Sequence, residues 1–168
     1  MAGSPRLVVS DASPLIALAA VGHLDVLRAL MGAITIPPAV RAEIDADGGQ
    51  RRGAAAIRKA SWITVIPPRQ AHLVETLRLD LDAGEAEALA LALETQARLL
   101  LIDERRGRRR ARALGVPVTG TAGIVALAKE DGLIPAVGPL LETLRRDAGL
   151  RLREAVVRRV LMRAGEAS

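Results

Sequence analysis

LLLIDERRGRRRARALGVPV, Leu99–Val118, contains in one stretch a strand, an acid, a helix and a second strand. Leu99 to Ile102 is a short run of leucine and isoleucine of the kind that forms a strand buried on both faces. Asp103 follows it directly. In the helix beyond, Gly107, Ala111 and Leu114 form an apolar stripe, and the six arginines between Arg105 and Arg112 fan over the remaining arc. Val116 to Val118 is the next extended run.

The same alternation extends toward the N-terminus. Short β-branched or leucine runs recur at Leu7 to Ser10, Ile34 to Ile36 and Ile63 to Ile66. Each is bounded by helix-start or turn chemistry, which is the pattern of a parallel α/β sheet of about five strands. Ser13-Pro14 supplies an N-cap and a first helical position. Pro37-Pro38 and Pro67-Pro68 stop strands and start the next elements. Ala86, Leu89, Ala90 and Leu93 recur at the spacing of an amphipathic helix, and Asp47 to Gly53 reads as a mobile glycine-rich loop. After Pro135 two helices, roughly Ala136–Arg146 and Arg151–Arg163, follow without a strand between them. They read as a hairpin appended to a single domain.

Composition narrows the chemistry. A chain of 168 residues suits one domain. With no Phe, no Tyr and one Trp, its core must be Leu, Val, Ile and Ala. The absence of cysteine excludes disulfides and thiolate metal sites and suits a cytoplasmic protein. Only His23 and His72 could supply imidazole, so a histidine-rich zinc centre is not expected. No stretch approaches the roughly 20 apolar residues that span a bilayer. The net charge of +5 is compatible with a polyanionic partner.

In an open parallel sheet, ligands bind outside the carboxyl ends of the strands. Asp11 and Asp103 each follow a strand and therefore fall there. Glu43 shares a buried helical stripe with Val40 and Ile44, where a carboxylate needs a partner. Glu85 falls toward the side carrying Leu89 and Ala92, which leaves Glu87 for solvent. Four acids from four elements could thus meet at one end of the sheet. They would repel one another unless a cation sat among them, and oxygen-only ligation points to Mg²⁺ or Mn²⁺. Each acid alone has a simpler account. The aspartates could cap helices, Glu43 could snorkel or pair with Arg41 or Arg6, and Glu85 could answer a helix dipole.

Beside this group, Arg105, Arg106 and Arg109 are candidates for RNA phosphates by charge-assisted hydrogen bonds; a solvated helix face explains them equally well. Thr119-Gly120-Thr121-Ala122-Gly123 opens a helix after the last strand. Thr119 and Thr121 could line the site there, or simply cap the helix. The first strand is not followed by G-x-G-x-x-G, which counts against dinucleotide binding.

VVSDASPLI (Val8–Ile16), IPPAVRAEI (Ile36–Ile44), LDAGEAEALALA (Leu81–Ala92) and LLIDERRGRRRARALGVPVTGTAGI (Leu100–Ile124) together resemble the PIN-domain nucleases. The resemblance is closest to the DUF3368 branch, grouped with VapC-like toxins, and the closing LRLREAVVRRVLMRAGE (Leu150–Glu166) extends it over nearly the whole chain. It implies a three-layer α/β/α fold, with residues 1–134 as the nuclease domain and 135–168 as a C-terminal helical hairpin packed on it. It places the family's four acidic metal ligands on Asp11, Glu43, Glu85 and Asp103, and its accompanying hydroxyl on Ser13. Glutamate at the third position, where many toxins of the class carry aspartate, is typical of this branch.

The implied activity is Mg²⁺- or Mn²⁺-dependent endoribonuclease action leaving 5′-phosphate and 3′-hydroxyl ends. The implied setting is a toxin with a cognate antitoxin, acting as a homodimer. Two other classes stand beside it: a catalytically silent PIN-like module that binds RNA or protein, and a metal-dependent phosphatase.

Overall fold

A computed structural model describes residues 5–166. Strands Val8–Ser10 (β1), Ile34–Ile36 (β2), Ile63–Val65 (β3), Leu99–Leu101 (β4) and Val118–Thr119 (β5) form a parallel sheet in the order β3-β2-β1-β4-β5. β1 (Val-Val-Ser) and β2 (Ile-Thr-Ile) are buried along their whole length, Ser10 and Thr35 included, as befits strands covered on both faces. β3 is an edge strand, and past Ile63 it turns Thr64 and Val65 to solvent.

Helices cover both faces and complete a three-layer α/β/α fold. Ala83–Glu94 (α6) lies on β1 and β4 and is surrounded by Pro38–Ile44 (α3), Ala71–Leu77 (α5) and Arg105–Ala113 (α7). The other layer is built from Ala12–Ala20 (α1), Leu24–Met31 (α2), Thr121–Glu130 (α8) and Val137–Asp147 (α9). Ala54–Lys59 (α4) packs on α1, and Glu154–Arg163 (α10) packs on α8 and α9. The core is aliphatic: Leu15, Leu18, Leu27, Ile34, Ile36, Leu89 and Leu100 are fully buried. Each such side chain contributes about 1.5–3 kcal/mol relative to an exposed one.

The C-terminal helices occur where the sequence places them, with α9 seated through Val137, Leu140, Leu141 and Leu144. Glu166 fixes their arrangement. Its two carboxylate oxygens accept the backbone N–H groups of Val137 (2.7 Å) and Gly138 (2.8 Å), so the end of the described chain caps the start of α9.

Several local expectations change. α1 begins at Ala12 with Asp11 at its N-cap, so Ser13 and Pro14 lie inside the first turn. Proline is tolerated there because first-turn N–H groups have no helical partner. Leu114 does not extend the apolar stripe of α7; it is the helix's C-cap and is exposed. Val116 donates its N–H to Ala111 and so closes α7, which delays β5 to Val118. The loop from Asp47 to Gly53 opens with left-handed backbone at Asp47, Gly48 and Gly49, and Arg58 adjoins it, contacting Asp45 and the Gly49 carbonyl.

α6 is not a half-exposed amphipathic helix. Its Ala- and Leu-rich sequence is buried nearly all round, from Gly84 to Ala92, because α3 and α5 cover its outer side. Its two outward acids are consequently occupied. Glu87, expected in solvent, accepts the Ala39 N–H at 2.8 Å and caps α3. Glu94 accepts the N–H groups of Arg69 and Gln70 at 2.7–3.0 Å, just before α5. Replacing Glu87 by Ala should cost about 1 kcal/mol in urea unfolding, whereas Gln, which keeps the acceptor, should restore most of it. Equal loss in both variants would show that the charge and not the cap matters.

Candidate active site

The direction of strand addition reverses between β1 and β4, since the chain leaves β1 toward β2 and leaves β4 toward β5. That reversal opens a crevice at the carboxyl ends of the two strands. Asp11 and Asp103 stand at it. The Asp11 N–H is bonded to the Leu101 carbonyl at 2.8 Å, which fixes the aspartate's position beside β4.

Asp11 is buried, 4% exposed, and its Oδ1 has no hydrogen-bond partner. Gly84, in the first turn of α6, explains how a second carboxylate reaches it. A methyl group at that glycine would sit 3.1 Å from Glu43 Oε2 and 3.2 Å from Asp11 Oδ1, so the two oxygens flank the space that the missing side chain leaves. α3 therefore delivers Glu43 to the site, half-buried beside the fully buried Val40 and Ile44. Glu85, buried at 4% exposure, lies on the neighbouring side, where Oε1 would be 3.2 Å from a Cβ on Gly107.

A fifth acid completes the group. Asp82 is the N-cap of α6 and forms a capping box with Glu85: it accepts the Glu85 N–H at 2.8 Å, and Glu85 Oε2 accepts the Asp82 N–H at 3.2 Å. The D-x-x-E pattern at residues 82–85 was the available signal for it.

Electrostatics record this crowding. Burial pushes Asp11 from its ordinary 3.8 up to about 8, with the charges of Glu43, Asp82 and Glu85 adding to the rise and the Ala12 N–H opposing it. Glu85 is pushed up to about 7, again by burial first and then by Asp82, Glu104 and Glu43, against the Asp82 backbone hydrogen bond. Glu43 is raised by burial and by Asp82, with Arg51 opposing.

Asp103 sits apart from this group. Ser10 pairs with Leu101, so Asp11 is level with Ile102 and Asp103 falls one residue beyond. Successive residues of an extended chain face opposite ways, which directs Asp103 toward α8. There Thr121 holds both its oxygens, with its N–H on Oδ1 and its hydroxyl on Oδ2, each at 2.7 Å. Burial raises the Asp103 pKa, and the Thr121 bonds and the Arg108 guanidinium limit the rise. Gly120 makes this approach possible, because a Cβ there would lie 2.8 Å from Asp103 Oδ1 and 2.9 Å from an Arg108 nitrogen.

The supporting residues divide. Thr121 bonds Asp103 directly, while Thr119 lies half-buried on β5 against Gly123. Ser13 is exposed on α1 and makes no side-chain hydrogen bond to Asp11; the neighbouring hydroxyl that bonds is Ser10, to the Asp11 carbonyl at 2.7 Å. Arg105, Arg106 and Arg109 are exposed on α7. Among the described residues no three Asp, Glu or His side chains stand in a geometry that already encloses a metal ion. The donor set nonetheless suits a hard cation, with an unpartnered buried carboxylate oxygen at its centre and further carboxylates around it.

The DUF3368 family model, described as a PIN domain, matches residues 7–166. The chain belongs to this PIN-domain family. No curated protein matches it. Among solved structures, a PilT N-terminus domain protein from the hyperthermophilic archaeon Sulfolobus solfataricus P2 is similar at 19% identity and a TM-score of 0.46, over 73% of this chain and 92% of that one. PIN domains are typically nucleases that use divalent metals. None of the described helices is long and apolar enough to cross a membrane.

Proposed function

We propose that the protein is a Mg²⁺- or Mn²⁺-dependent endoribonuclease, acting in the cytoplasm as the toxin of a type II toxin–antitoxin pair. The observation that supports this reading best is the buried, unpartnered Asp11 Oδ1 facing Glu43 across Gly84 at the strand reversal. Asp11, Glu43 and Glu85 would hold the cation from one side of the crevice and Asp103 from the other. A divalent ion in such a site neutralises phosphodiester charge and makes water a better nucleophile.

The chain's own groups do the remaining work. Thr121 orients Asp103 through two hydrogen bonds, and together with Arg108 it favours the carboxylate against the upward push of burial. Arg105, Arg106 and Arg109 supply exposed guanidinium groups along α7 for RNA phosphates. Residues 135–168 belong to the same unit in this reading, as the packing of α9 on α1 and α8 supports. The antitoxin and a homodimer complete the proposal; light scattering after size exclusion reports the second.

Incubation of a mixed RNA pool with Mn²⁺ tests the core of it. Cleavage should leave 5′-phosphate ends and should disappear in Asp103→Asn and Glu43→Gln; cleavage that persists in both overturns the assignment. A Mn²⁺ calorimetric signal without cleavage would identify a silent module, and hydrolysis of a generic phosphomonoester with RNA left intact would identify a phosphatase. Thr121→Val removes one of the two bonds to Asp103. It should weaken Mn²⁺ binding about 10- to 100-fold while the protein stays folded; unchanged affinity would deny Thr121 its positioning role.

A further inference from the structure

α7 separates two basic surfaces. On one side Arg105, Arg106, Arg109 and Arg110 border a cleft of about 720 Å³ that also contains Asp80 and Glu104. On the other, α7 forms a larger cleft of about 1000 Å³ with the β5–α8 turn, the link at residues 149–153 and α10. This cleft starts at Asp103. From there it is bordered by Arg108, Arg112, Arg145, Arg151, Arg153 and Arg159, with Arg105 and Arg163 also reaching it. Asp103 and Glu104, both at the site end, are the acids among its lining residues.

Most of these cations have no internal use. Arg163 is committed to Glu130 through two bonds of 2.6 and 3.0 Å. Among the described residues, Arg112, Arg145, Arg151, Arg153 and Arg159 form no salt bridge. The Nε of Arg108 is buried without a hydrogen-bond partner. Guanidinium groups gathered from three helices, α7, α9 and α10, and from the link at residues 149–153 repel one another around one cleft and create a strong positive field, which a polyanion relieves. Their planar forks match phosphate oxygens in pairs.

We infer that this cleft binds the phosphate backbone of a single RNA strand leading away from the carboxylate site, with Arg112, Arg145, Arg151, Arg153 and Arg159 as phosphate ligands. The choice of RNA as the polyanion rests on the nuclease reading above. Continuity favours it, because a phosphodiester strand lying in the cleft presents its next phosphate at Asp103. The lining contains no aromatic side chain, so bases are not stacked and the contact is independent of sequence. Val156 and Leu152 offer an apolar floor for sugars and base faces. The C-terminal hairpin thereby becomes part of the substrate path, and the main contact surface moves from the Arg106 and Arg109 side of α7 to the opposite one.

Fluorescence anisotropy of a labelled mixed-sequence oligoribonucleotide, titrated with the full chain in EDTA over a KCl series, tests this. No metal is present and no bond is cut, so the result is separate from nuclease activity. Arg151→Ala/Arg153→Ala/Arg159→Ala should raise Kd at least about tenfold at low salt. It should also flatten the slope of log Kd against log[KCl] by roughly 2, since each single-strand phosphate contact contributes about 0.7. The corresponding triple lysine variant should keep most of the slope. Arg6→Ala/Arg28→Ala/Lys59→Ala, which removes equal charge near the amino ends of the strands, should leave the slope at the wild-type value. Arg151 lies outside any helix, so Arg151→Ala alone carries the test should the triple variant fold poorly, with a slope loss of about 0.7. Wild-type affinity and slope in a folded alanine variant would overturn the proposal. So would retained RNA binding with loss of binding to a polyglutamate peptide, which would make an acidic protein segment the occupant.

Discussion

Asp11→Asn is expected to abolish metal-dependent RNA cleavage, by a factor on the order of 10³ or more, while making the metal-free protein more stable at pH 8. The two effects share one origin. Asp11 has an ordinary pKa of 3.8 and a folded value of about 8, because it is buried among other carboxylates. Between those limits the folded chain retains a proton that the unfolded chain has released. Stability from this group is therefore complete below about pH 4 and is lost as pH climbs toward 8. Glu85 acts in the same direction between its ordinary 4.5 and about 7. Asparagine keeps the shape of Asp11 without the charge and removes the larger of these losses.

Thermal melts of the metal-free wild type should accordingly fall from pH 5 to pH 8, and those of Asp11→Asn should fall less. Adding Mn²⁺ at pH 8 should raise the wild-type melt by ligand linkage and leave the variant nearly unmoved. A variant that melts below the wild type at pH 8 without metal would contradict the crowded site. A variant that still cleaves would remove Asp11 from the chemistry.

Gly53→Ala should be strongly damaging although it lies outside the site. Gly53 has φ +86°, a backbone conformation that L side chains rarely adopt, and it enters α4 where that helix crosses α1. A Cβ there would fall 2.5 Å from the carbonyl carbon of Ala19 and 2.7 Å from its oxygen. Backbone cannot yield as a flexible side chain can. Left-handed strain and overpacking together should cost about 2–4 kcal/mol, or roughly 5–15 °C in melting temperature. A melt within about 2 °C of the wild type would show that α4 does not dock on α1 in this way.

The strands and the acids that follow them were legible because both signals are local. Val8-Val9-Ser10-Asp11 and Leu99 to Asp103 each carry an apolar run and an acid at its carboxyl end, and the sheet order brings those ends together. Glu43 was legible for a related reason, since a carboxylate on the stripe of Val40 and Ile44 has to face something other than water. Readings that depended on long-range packing changed. Glu87 looked solvent-exposed because nothing in α6 itself reveals that α3 will present Ala39 to it. Ser13 looked like a cap because hydroxyl-proline pairs usually are, yet Asp11 already occupies the N-cap position. The separation of Asp103 from the other acids depends on a register offset of one residue between β1 and β4, and pairing register is a property of two segments that neither encodes alone.

The aromatic-free core has a spectroscopic corollary. Trp62, the single indole of the chain, sits partly buried just before β3, its carbonyl accepting the Ile34 N–H at 2.9 Å, near the amino ends of the strands. Intrinsic emission therefore watches the sheet's outer edge while the crevice stays optically dark. Loosening of β3 will register as a colour shift, and a cation or oligonucleotide arriving at the far end will not, unless a chromophore is installed beside the guanidinium cleft by Leu152→Trp.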